Sequence, residues 1–148
     1  YKYLDEESDS SFSIPKGKML KKLRYGENPH QEAAVYSSES LVKGIINGTQ
    51  VGIGPNIGIG EPGCDGMKGI HTHDDSGRLH IETPSPMPAP LGAFFEIWGE
   101  SFSEQEILGH YADDEHEVIL TINGEVNSLY EGYMMEDGDI IDIEYRSR

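Results

Sequence analysis

Cys64 is the chain's single cysteine, so no internal disulfide can form, and the cysteine pairs of a zinc finger are missing as well. Long hydrophobic runs are absent: no stretch approaches the ~18 apolar residues of a membrane span, and no signal peptide is visible. Because the first residue is Tyr1 rather than Met, a processed or trimmed form is expected, its targeting segment already removed. Basic residues are scarce. Lys and Arg number 11 against 27 Asp and Glu, a formal net charge of −16. The imbalance lies almost wholly after residue 40, where five Lys and Arg meet twenty Asp and Glu. Such a surface repels phosphate backbones, which argues against nucleic acid as a partner. Solubility accounts for it first; a cation-rich or salty setting, or weak attraction of divalent ions, also fits. With 148 residues, 36% hydrophobic content and 18 glycines, one ordinary domain with a modest core is expected.

What the sequence does hold is concentrated between Gly63 and Pro84, in GCDGMKGIHTHDDSGRLHIETP. Two short runs of alternating polarity, Gly69 to His73 and Arg78 to Glu82, flank Asp74-Asp75-Ser76-Gly77, which is a hairpin signal. Side chains two apart on a strand share a face, so His71 and His73 point the same way. A hairpin symmetric about the turn sets His73 opposite Arg78 and His71 opposite His80, with Cβ atoms roughly 4.5–5.5 Å apart. Three imidazoles then gather on one face, just downstream of Cys64 and Met67. Imidazole and thiolate suit a transition metal, copper or zinc, with a fourth position for Cys64, Asp74 or water. The alternative is a polar, half-exposed hairpin whose Thr72 and Asp74 simply bond the turn.

Taken in order, residues 1–17 are polar and without periodicity, a tail or an arm that orders on a partner. Residues 1–40 are read as that arm, and 41–148 as one β-rich domain. Strands begin at Leu41, with Asn47-Gly48 as a hairpin turn. Asn47-Gly48-Thr49 is also a glycosylation sequon. Asn56 to Ile59 resumes an extended run. Four prolines between Pro84 and Pro90 predict a stiff spacer, with Met87 packed or serving as a thioether ligand. Leu91, Phe94, Phe95 and Trp98 fall at i, i+3, i+4 and i+7, which predicts a helix with one apolar face, either core or an exposed binding stripe. Ser103 with Glu106 predicts a capped second helix through about His110. The last third reads as strand, with turns at Asn123-Gly124 and Asp137-Gly138 before a closing strand ending near Tyr145. The fold class is therefore α+β: a mainly antiparallel sheet, one or two short helices and an extended amino-terminal arm. The order of elements resembles β-grasp modules, whose closing strand pairs centrally.

Two family resemblances follow from these motifs. GPNIGIG (54–60), IHTHDDSGRLHIETP (70–84), LGAFFEIWG (91–99) and the tail Asn123-Gly124 with Asp137-Gly138-Asp139-Ile140 resemble an uncharacterised prokaryotic domain. That resemblance covers roughly residues 41–148, brings no known reaction, and implies an extracytoplasmic module held near a membrane by a segment not present here. Many of its members carry a His-rich first strand, where this chain has Leu41-Val42-Lys43-Gly44-Ile45-Ile46. Separately, Leu23 to Gln31 (LRYGENPHQ), followed by Ala33-Ala34 and Tyr36, resembles the opening of the AICAR transformylase half of the bifunctional purine-biosynthesis enzyme. In that family the Arg-Tyr at Arg24 and Tyr25 lies near the nucleotide phosphate, which implies an anion site here. The family's catalytic Lys-His dipeptide is absent from this sequence.

The functional expectation is a non-catalytic acidic binding or structural module outside the cytoplasm, its hairpin holding copper or zinc through His71, His73, His80 and Cys64. A protein partner or self-assembly through the amino-terminal arm is the rival within that class. A metal-dependent enzyme, or a remnant of the purine transformylase, is the alternative from another class.

Overall fold

The computed structural model describes residues 21–25, 33–60 and 68–148. Its spine is β2 (Ala33–Ile46), which begins at Ala33 rather than at Leu41, so the strand crosses the boundary drawn at residue 40. β1 (Lys21–Tyr25) pairs antiparallel with the start of β2. β3 (Thr49–Val51) returns through the Asn47-Gly48 turn, whose φ values of 50° and 84° are the left-handed pair that a two-residue hairpin demands.

β4 (Ile70–His71) and β5 (Arg78–Thr83) extend the sheet from the other half of β2. α1 (Leu91–Trp98) follows, then a small antiparallel meander of β6 (Phe102–Ser103), β7 (Glu106–Ile107) and β8 (His110–Tyr111). β9 (His116–Ile122) and β10 (Glu125–Val126) form a second Asn-Gly hairpin. β11 (Ile140–Ser147) closes the sheet. It runs parallel to β2 and antiparallel to β9, giving the order β10-β9-β11-β2-β5-β4. The closing strand is thus central, as the β-grasp-like order of elements implied, and the fold is α+β.

The core lies between one sheet face and α1. Val118, Leu120, Ile122, Ile141, Ile143 and Tyr145 alternate with half-exposed neighbours and turn inward, the period of two expected of a half-buried sheet. Leu91, Ala93, Phe94 and Phe95 are the buried face of α1. Gly99 ends that helix in the left-handed conformation (φ 85°), its N–H bonded to the carbonyls of Phe95 and Glu96. Asp139, buried, has its carboxylate filled by Tyr133 Oη, Glu136 N at 2.9 Å and Asn123 Nδ2 at 3.0 Å. Burial first, then that hydrogen bond, pushes the Tyr133 phenol above its ordinary value.

Three expectations fail. Ser103 to His110 is the meander, not a helix: Ser103 Oγ accepts from Gln105 N within a turn, and Phe102 and Ile107 pair and bury together. Leu108 and Gly109 both carry positive φ, which no helix continues. Asn56 to Ile59 is a turn rather than an extended run, with Asn56 and Gly58 left-handed. The proline run is not a free spacer: Met87 and Ala89 are buried, Ala89 O accepts from Met135 N, and Pro90 bridges Met134.

Candidate metal centre

Leu79, Ile81 and Thr83 of β5 face the core, so His80 and Glu82 project from the opposite face. The register sets His71 opposite His80, and His80 opposite Glu39 on β2, one row of side chains across three strands. β4 stops at His71. The symmetric hairpin that would set His73 opposite Arg78 does not continue to the turn: the β4–β5 ladder ends at the His71–His80 pair, and Ser76 bridges Ile53. Gly77 forces this departure, its φ of 83° and its contact with the Val42 carbonyl (2.2 Å from an added Cβ) leaving no room for a side chain.

The outer edge of β4 is covered by a strap from Gly54 to Ile59. Thr72 N donates to Ile57 O at 2.9 Å, Asn56 N to Thr72 O at 3.0 Å, and Thr72 Oγ1 to Gly54 O at 2.8 Å. Gly58 makes the close approach possible: an added Cβ would sit 2.3 Å from Ile70 O and 3.2 Å from the Cα of His71. Pinned on both sides, His71 is only 1% exposed.

His71 Nδ1 lies 2.8 Å from the Lys68 carbonyl. A carbonyl can only accept, so Nδ1 carries the proton and Nε2 holds the lone pair. Burial pushes this imidazole below its ordinary value, against a smaller opposing pull from the Lys68 bond and Glu82, so the ring is neutral at neutral pH. Glu82 Oε1 approaches Nε2 to 3.1 Å, yet not in hydrogen-bond alignment, and the buried Nε2 has no hydrogen-bond partner among the described residues. Two acceptors thus face each other with no proton between them.

His73, exposed on the loop, completes the cluster. Its ring centroid is 4.9 Å from that of His71 and 4.8 Å from that of His80, while His71 and His80 stack at 5.7 Å. One donor atom from each of His71, His73 and Glu82 lies within 4.8 Å of the others, close enough to share a metal ion. His80 belongs to the ring cluster but not to that donor group; its Nδ1 is 3.8 Å from Glu39, which also lies 3.8 Å from Arg78. Asp74 is committed to its own turn, accepting from Ser76 N and Ser76 Oγ, bonds that hold its carboxyl below the usual range.

Cys64 and Met67 lie outside the described residues. Arg24 and Tyr25 sit on β1 opposite Ala34 and Ala33. Asn47 is exposed at its hairpin tip, with its N–H on the Tyr145 carbonyl. Phe94 and Phe95 are core, and Trp98 packs against both, at 5.6 and 5.8 Å between ring centroids. Glu82 is the ligand candidate that motif reading overlooked. Its signal was available: it stands two residues after His80, on the same strand face.

A family model described as AICARFT/IMPCHase bienzyme matches residues 1–58. Among curated proteins, the bifunctional purine biosynthesis protein PurH of Persephonella marina is 55% identical over 42 residues, which is 28% of this chain and 8% of that protein. The chain therefore carries a local PurH-like segment and spans a small fraction of that relative's length. No solved structure matches. His71, His73 and Glu82 all fall outside the matched segment.

Proposed function

We propose that the chain is a metal-binding module and that His71, His73 and Glu82 hold a borderline divalent ion, zinc before copper. The observation that carries this reading is the buried His71 Nε2, a lone pair aimed at a carboxylate 3.1 Å away with nothing to bond both. A buried polar atom left unpaired costs ~1–3 kcal/mol, and a cation between the two groups removes the cost. The Nδ1–H bond to Lys68 O is the outer contact that orients a ligating imidazole. A carboxylate with two imidazoles suits zinc; copper(I) prefers sulfur. The strongly acidic surface raises the local cation concentration around such a site. Binding rather than catalysis, and a setting outside the cytoplasm, remain part of this proposal.

Elemental analysis of protein prepared without chelators tests it. Near-stoichiometric zinc in the parent chain and its loss in His73→Ala support the reading; metal-free protein after zinc supplementation removes it. His73 is exposed, so that variant keeps the fold.

A second reading is favoured by the PurH-like stretch alone: the amino-terminal segment is a remnant of a purine transformylase and retains an anion site at Arg24 and Tyr25. Binding of the transformylase's nucleotide substrate, abolished in Arg24→Ala, supports this. Binding unchanged by that substitution, or none at all, ends it.

A further inference from the structure

We infer that the ion held by His71, His73 and Glu82 keeps one exchangeable coordination position on its solvent side, and that this position takes small anionic oxygen or nitrogen donors such as a carboxylate or azide. The inference rests on the metal-centre reading above. Its first support is the donor count. Zinc-class ions take four ligands; structural sites fill all four from protein, while sites with three protein donors leave the fourth to water or a bound molecule. Here the described residues supply three.

Among the described residues, the neighbours that would close the shell lie outside the donor group or are bonded in their own turn. Asp74 bonds Ser76 within its turn. His80 stands outside the donor group, with Nδ1 turned to Glu39.

The direction of the free position follows from burial. His71 forms the floor at 1% exposed, Glu82 is 31% exposed, and His73 lies on the surface. Donors below and beside the ion leave its outer side wet.

Local charge selects the ligand. Two neutral imidazoles and one carboxylate leave a divalent ion with net positive charge, which welcomes an anion at contact. The acidic surface opposes the same anion at longer range, out to one Debye length of ~8–10 Å at ordinary ionic strength. Anion affinity therefore rises when a non-coordinating salt screens that surface, the reverse of ordinary ionic binding.

The test uses cobalt(II) chloride as the metal probe and sodium azide as the anion, added to the full chain. Cobalt is expected to give saturable visible bands that fade in Glu82→Gln, a substitution of nearly equal shape. Azide is then expected to shift those bands saturably, with half-saturation at lower azide when non-coordinating salt is raised. Cobalt bands that azide leaves unmoved would overturn the open position while leaving the metal centre standing. A sulfur-to-cobalt charge-transfer band in the near ultraviolet with no azide response would do the same, and would assign the fourth position to Cys64. If no cobalt bands appear, the metal centre itself is overturned and the open position with it.

Discussion

His71 concentrates the physics of this site in one side chain. Its proton is fixed on Nδ1 by the Lys68 carbonyl, its other nitrogen faces Glu82, and solvent is excluded from both. That arrangement predicts opposite effects from one substitution. In Glu82→Gln the new amide can donate to His71 Nε2, so the metal-free protein gains on the order of 1 kcal/mol, the worth of a typical hydrogen bond. The same change removes the charged ligand, and zinc affinity falls by roughly tenfold or more. Thermal melts with and without zinc check both signs together; a Glu82→Gln protein less stable than the parent without metal contradicts the lone-pair assignment. Much of this was legible in the sequence. The cross-strand pairing of His71 with His80 was read from a hairpin symmetric about the turn, and the structure has that pair, although the His73–Arg78 pair of the same symmetry is absent. Glu82 was equally readable from the same period but hid among 27 acidic residues. His73 reaches the cluster from a loop shaped by Gly77 and the Val42 carbonyl, a contact from a distant strand that no local pattern announces.

Among the elements, α1 was the clearest in the sequence, because its aromatic spacing and terminal Gly99 agree. Phe94 is fully buried and packs edge-on to Phe95, so Phe94→Ala is expected to destabilise by ~3–5 kcal/mol in chemical denaturation, the usual cost of emptying a core aromatic site. The meander from Phe102 to Tyr111 was misread because Ser103 and Glu106 match a helix cap; what decides there is the joint burial of Phe102 and Ile107.

The loop from Asp113 to His116 is a third case. Asp113 Oδ1 accepts from Glu115 N at 2.8 Å and from His116 N and Nδ1. These bonds, the one from Glu115 largest, hold its carboxyl below the ordinary value. The folded form therefore releases this proton more readily than the unfolded chain does. The stabilisation is present above the unfolded value of ~4 and is lost as pH falls through the lower folded one. Arg148 Nε donates to the Asp113 and His116 carbonyls, so the end of β11 is tied to the same loop. Amide protection at Glu115 and Arg148, measured relative to the intrinsic exchange rate at each pH, is expected to fall together below about pH 4. Protection that stays constant there, or that falls at Glu115 alone, contradicts the coupling.

Across the whole molecule, the segment matched by the family model and the residues beyond it share one sheet. The segment matched to the AICARFT/IMPCHase bienzyme includes β1, β2 and β3, while the metal-centre residues come from β4, β5 and the loop between them. β2 nevertheless pairs with β5 over six residue pairs, so Glu39, inside the matched stretch, lies in the same row as His80 and His71. A domain boundary at residue 40 was drawn where charge changes abruptly and where the strands and the 41–148 resemblance were expected to begin; β2 runs straight through it, paired with β5 up to Leu41 and with β11 from Leu41 onward. The central closing strand was legible from the order of turns and alternating runs, whereas the strap over β4 was not, because Asn56 and Gly58 adopt left-handed conformations inside what reads as a strand. The claim on which the functional account stands is tested most directly by titrating zinc into the metal-free parent protein by calorimetry, with His73→Ala alongside. Saturable one-to-one binding by the parent, sharply weakened in the variant, is the predicted result. Equal heats from the two proteins, or none from either, would contradict it.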